Sequence, residues 1–126
     1  MKTIRFFALI IAGLTGLFAL TGCDSADGAF SVRHSVIDVG NASVGDSVKA
    51  SFTFRNNTAE SMTITFIPEC DCTTVNKEIM KLKSRGCGQL EVKVKVENSG
   101  DFIKYVYAQA TGHDEFITVA VKGSTK

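Results

Sequence analysis

The stretch Leu90-Glu91-Val92-Lys93-Val94-Lys95-Val96-Glu97 places an aliphatic side chain at every second position and a charge between each pair. A period of two marks a strand, because successive side chains leave opposite faces of a pleated backbone. One face of this stretch is wholly apolar and the other wholly charged, so the strand has one buried side and one wet side. A helix would scatter the same residues around its circumference and leave no apolar stripe.

The pattern recurs on both sides of this stretch. Val48, Ala50, Phe52 and Phe54 alternate with Lys49, Ser51, Thr53 and Arg55, and Met62, Ile64 and Phe66 alternate with Thr63 and Thr65. Val36–Val39, Ile79–Lys83, Phe102–Ala110 and Phe116–Lys122 are further strand candidates. The last alternates less cleanly and is expected either to be buried on both sides or to lie at an edge. Asn56-Asn57-Thr58 breaks the chain after a strand. Asn98-Ser99-Gly100-Asp101 and Thr111-Gly112-His113-Asp114 read as hairpin turns. About seven short strands at this spacing predict an all-β fold, an antiparallel immunoglobulin-like β-sandwich over residues 30–126. Val36–Val39 or Ile79–Lys83 is expected at a sheet edge. Such an edge either adds a peptide partner as a strand or is simply solvated, with Lys81 and Lys83 guarding it.

The chain begins differently. Lys2 and Arg5 precede an uncharged run from Phe6 to Leu20, which fits a secretory signal and is short for a membrane-spanning helix of about 20 residues. Leu20-Thr21-Gly22-Cys23 resembles the bacterial lipobox, which implies cleavage before Cys23 and lipid, palmitate included, on its thiol. The expected organisation is a lipoprotein signal peptide at 1–22, a lipidated linker at 23–29, and one domain. Several acyl chains give stable membrane anchoring. Cleavage removes Lys2 and Arg5, so 12 of the 14 basic side chains remain against 13 acidic ones. With no basic excess, nucleic acid is not an expected partner. The expected location is the bacterial cell envelope outside the cytoplasm, the outer membrane favoured over the inner.

Phe52-x-Phe54-x-Asn56, Met62-x-Ile64, Cys70-Asp71-Cys72-Thr73, Gly100-Asp101-Phe102-Ile103-Lys104 and Val121-Lys122-Gly123 resemble the pattern of a bacterial lipoprotein family, domain of unknown function 1573. The resemblance covers Ser35 to Gly123 and implies an immunoglobulin-like domain related to the Hydin-like and major-sperm-protein-like domains, which act as binding or scaffolding modules. It lends no catalytic residues. Two positions depart from the pattern: Asp71 stands where Gly is usual, and Ser84-Arg85-Gly86-Cys87-Gly88 replaces a Pro-Gly turn.

With Cys23 lipidated, Cys70, Cys72 and Cys87 remain. Cys70 and Cys72 leave the same side of an extended segment. One reading is a structural disulfide from Cys87 to Cys70 or Cys72, worth about 3 kcal/mol for a loop of this length. Others are a three-thiolate copper or zinc site, thiol–disulfide exchange assisted by Arg85, or three reduced thiols packed as small apolar groups. Asp24-Ser25-Ala26 and Asp46-Ser47-Val48 resemble bacterial O-glycosylation acceptors, while Asn41-Ala42-Ser43 and Asn56-Asn57-Thr58 are sequons better explained by turn chemistry. No catalytic constellation is legible: no Gly-x-Ser-x-Gly turn occurs and the carboxylates are scattered. The expectation is a non-catalytic envelope module without a cofactor that binds a protein or peptide, and the alternative is a thiol-based metal or redox protein.

Overall fold

The structure is a computed structural model describing residues 28–125; the expected signal peptide, Cys23 and most of the linker lie outside the described residues. Nine strands fold into two facing sheets: β1 (Phe30–Val32), β2 (Val36–Ala42), β3 (Ser47–Asn56), β4 (Met62–Pro68), β5 (Thr73–Val75), β6 (Ile79–Leu82), β7 (Cys87–Lys95), β8 (Asp101–Ala110) and β9 (Phe116–Thr125). One sheet has the order β1-β3-β7-β5 and the other β2-β9-β8-β4-β6.

The alternation in the sequence becomes the core. Leu90, Val92 and Val94 of β7 are buried, with Val96 just past its end, as are Ala50, Phe52 and Phe54 of β3. The other sheet contributes Met62, Ile64 and Phe66 of β4, Val106, Ala108 and Ala110 of β8, and Val119 and Val121 of β9. The Phe54 and Phe66 rings meet across the sheets with centroids 5.1 Å apart, and Phe30 stacks on Phe54 at 6.5 Å. Burial of a side chain of this size contributes roughly 1.5–3 kcal/mol.

The expected sandwich is present with four refinements. β1 and β5 add to the seven strands; each has three residues, too few for a period to be read. The β2–β9 pair is parallel, with a bulge between Asp38 and Asn41 where Gly40 takes a φ of 78°. β9 lies inside its sheet, and Val119, Ala120 and Val121 are all buried, because Ala120 on the outer side stands in register with Tyr105 and Val36. Finally, Asn98–Asp101 is not a hairpin turn: it carries the chain from β7 in one sheet to β8 in the other. The turn before β9 is a hairpin as expected, pairing β8 with β9 and closed by His113 N donating to Ala110 O at 3.1 Å.

Two glycines mark close approaches. A Cβ on Gly123 would lie 2.7 Å from Phe102 Cζ and 2.8 Å from Gly40 O, and one on Gly88 would lie 2.8 Å from Met80 Sδ.

Candidate functional site

The outer faces of the two sheets differ. On the four-stranded sheet, β3 shows Lys49, Ser51, Thr53 and Arg55, and β7 shows Gln89, Glu91, Lys93 and Lys95. This face is polar and mostly basic, and Lys49 stands directly opposite Lys93.

The five-stranded sheet carries exposed apolar side chains among polar ones on its outer side as well. Strand register aligns its outward side chains in rows. Ile79, Thr65, Gln109 and Phe116 form one row across β6, β4, β8 and β9. Ile67, Tyr107 and Thr118 form the next, then Tyr105, Ala120 and Val36, then Ile103, Lys122 and Asp38. At about 4.8 Å between strands and about 6.7 Å between alternate residues, these rows cover roughly 14 by 20 Å. Ile79, Ile67, Ile103, Val36 and Phe116 are 44–61% exposed, and both tyrosines of the chain lie among them. Tyr107 Oη donates to Glu69 Oε2 at 3.2 Å. The negative charge of Glu69, then partial desolvation, that hydrogen bond and Tyr105 hold the Tyr107 hydroxyl above its ordinary range. Sequence reading missed this face, although β4 and β8 carried a signal. Phe66-Ile67 and Tyr105-Val106-Tyr107-Ala108 put apolar bodies on both sides of a strand, and only one side can face the core.

Both expected edges are edges: β2 and β6 flank this sheet. Lys81 and Lys83 are exposed on or beside β6. β6 pairs with β4 only from Met62 to Thr65, leaving Ile67 and Pro68 beyond its end.

The cysteines do not converge as the sequence suggested. Cys87 opens β7 opposite Arg55, whereas Cys72 O accepts from Lys95 N at the far end of the same strand, 2.8 Å away. Eight residues of strand, about 26 Å, lie between. Cys70 and Cys72 are bridged to each other, with Cα atoms 5.1 Å apart, in place of the expected bridge from Cys87 to either of them. For the same reason a three-thiolate copper or zinc site of Cys70, Cys72 and Cys87 is not assembled. The disulfide sits in the crossover from β4 to β5. Cys72 N donates to Cys70 Sγ at 3.1 Å, and Cys72 Sγ lies 3.6 Å from Thr73 Oγ1. A groove of about 470 Å³ beside it is lined by Ser47, Asp71, Lys93, Lys95 and Glu97.

At the opposite pole, Asn56 is fully buried. Its Nδ2 donates to Glu60 O (2.6 Å) and Lys83 O (3.0 Å), and its Oδ1 accepts from Thr58 N (2.9 Å) and Thr58 Oγ1 (2.6 Å). Asn56 N donates to Gly86 O. Arg85, in a left-handed conformation (φ 62°), donates to Asn57 O. The Asn-Asn-Thr turn and the turn that replaces Pro-Gly are thereby tied together. Chain entry is at this pole too, where Ala29 N donates to Glu115 Oε1 at 2.7 Å.

Two facing sheets, one of them closed by the parallel β2–β9 pair, define an immunoglobulin-like sandwich domain. The chain belongs to the family Protein of unknown function (DUF1573), which matches residues 30–125. Among solved structures, it is similar to the ASH/PapD-like domain 7 of human CEP192, with a TM-score of 0.65 at 9% identity, covering 85% of this chain and 93% of that one. It is also similar to a protein of unknown function from Porphyromonas gingivalis (TM-score 0.64, 16% identity, 77% of this chain and 46% of that one). The E. coli chaperone DraB matches with a TM-score of 0.56 at 9% identity, over 77% of this chain and 54% of that one. This chain thus spans about half the length of the last two. At these identities the likeness is one of fold. No curated protein matches the chain.

Proposed function

We propose that this chain is an exported bacterial lipoprotein that docks an envelope protein on the outer face of its five-stranded sheet. The observation that carries the reading is the contrast between the two outer faces. One is charged and needs no cover, while the other sets Ile67, Ile79, Tyr105, Tyr107 and Phe116 side by side in exposed rows. Exposed apolar area of this kind costs hydration until a partner covers it. Tyrosines rimmed by polar groups are the residue type that concentrates binding energy in protein interfaces. A protein partner suits the face better than a bare apolar ligand, because Glu69, Gln109, Thr118 and Lys122 offer hydrogen bonds between the apolar groups. The adjoining edges, β2 and β6, could add a strand of the partner.

The face holds apolar area and hydroxyls, not a nucleophile beside a base, so the reading is non-catalytic and uses no cofactor. Lipid on Cys23 would tether the domain: Gly28 is five residues away, at most about 18 Å of extended chain. The pole bearing Asn56 and Glu115 then faces the bilayer and the docking face stands beside the membrane, at the outer membrane by preference. A photo-crosslinking residue in place of Tyr107, in the full-length anchored chain in cells, should capture a discrete protein. The same residue in place of Thr53, on the charged face, should not. Equal capture at both positions, or none at Tyr107, refutes the docking face. Processing that globomycin leaves unchanged refutes the lipid tether.

A further inference from the structure

The Cys70–Cys72 bridge lies at the other end of the sandwich from Asn56, apart from the exposed rows of Ile79 and Phe116. The two cysteines are two positions apart, so the bridge closes a ring of only three residues. It ties no two elements of the sandwich together. It lies at the surface, in the crossover between the sheets, with Cys70 half-buried and Cys72 buried.

The surroundings separate the two sulfurs. Cys70 lines both grooves at this pole and is partly exposed, whereas Cys72 lines only the first and is buried. Cys72 Sγ sits inward, beside the Thr73 hydroxyl, which can donate to it. Lys93 and Lys95 line the adjoining groove and favour a thiolate there, with Asp71 and Glu97 opposing them. On the other side, β5 is the outermost strand of its sheet. Cys72 and Asn76 bond to β7, so in strand alternation the Val75 amide and carbonyl point away from β7. Val75 lines a groove that Phe66, Ile67, Pro68 and Cys70 also line. An extended peptide laid there could pair with the Val75 backbone and bring its own cysteine to Cys70.

We propose that Cys70–Cys72 is a thiol–disulfide exchange site for a cysteine-bearing exported protein bound in this groove. A partner thiolate attacks Cys70 Sγ. The Cys70–Cys72 bond breaks, its electron pair leaves on Cys72 Sγ, and a mixed disulfide to Cys70 forms. A second thiolate of the partner then attacks the partner sulfur of that mixed disulfide, and Cys70 leaves as a thiolate that takes up a proton. The partner dithiol is oxidised to a disulfide, and this chain is reduced to a dithiol.

The full-length anchored chain, equilibrated in graded reduced and oxidised glutathione, acid-quenched and differentially alkylated, tests this by peptide mass. Cys70 and Cys72 should open and close together, reversibly, with circular dichroism unchanged. Folded Cys72→Ser should take up glutathione at Cys70 at least ten-fold faster than folded Cys70→Ser takes it up at Cys72. A wild-type bridge that opens only in denaturant overturns the proposal without recourse to either variant. Equal rates in the two variants overturn it as well.

Discussion

Asn56 is the residue on which one pole of the sandwich depends. It is a polar side chain with no exposed surface, and four partners satisfy it. Asn56→Ala would strand the Lys83 carbonyl and the Thr58 groups, and a buried unsatisfied group costs about 1–3 kcal/mol. Urea denaturation should register a loss in that range, with the m-value unchanged. The Tyr107–Glu69 pair gives a test at the same scale. The raised pKa of Tyr107 means that the fold favours its protonated form. That stabilisation is present below the unfolded value of about 10 and is lost as the pH rises through the higher folded value. In a Tyr105→Phe background, ultraviolet titration should find the Tyr107 midpoint above 10.0, and Glu69→Gln should lower it. The Asn56 turn was legible in the sequence as a chain break. Its partners Glu60 and Lys83 were not, because they reach it from a loop and from the end of another strand.

Among the elements, the long alternating strands were the most legible. β7, β3 and β4 each bury the face that their periodicity selects. The Cys70–Cys72 bridge belongs to a crossover and constrains little chain. In the chain-entropy model a three-residue ring contributes about 1.6 kcal/mol, against about 3 for the longer loop suggested by the sequence. Replacing both cysteines with serine should therefore lower stability by no more than about 1.6 kcal/mol in urea denaturation. In the charged sheet, Lys49 opposite Lys93 is a repulsive cross-strand pair. Lys49→Glu should raise stability by about 0.2–1 kcal/mol, and the gain should shrink as salt is added.

Across the molecule, the two sheets are joined through aromatic packing. Phe54 touches Phe30 in its own sheet and Phe66 in the other, and it is fully buried. Phe54→Ala should cost about 3–5 kcal/mol, a drop that thermal unfolding would register as a large fall in Tm. Gly123, pressed between Phe102 and the Gly40 carbonyl, holds β9 against β2 and β8. Gly123→Val must displace backbone there and should cost about 1–3 kcal/mol.

The residues by themselves determined that this chain makes strands, which face of each strand is dry, and that the set closes as a sandwich. Those are consequences of a period of two and of hydration, both local along the chain. Tertiary structure decided the rest. Asn98–Asp101 became a crossing between sheets because each strand joins the sheet that completes its core, and a turn signal does not name that sheet. Cys70 took Cys72 because β7 holds Cys87 about 26 Å away. The exposed rows of Ile67, Tyr107 and Phe116 exist only once register brings β4, β8 and β9 side by side. Contacts between residues distant in sequence are set by pairing, which no local pattern encodes.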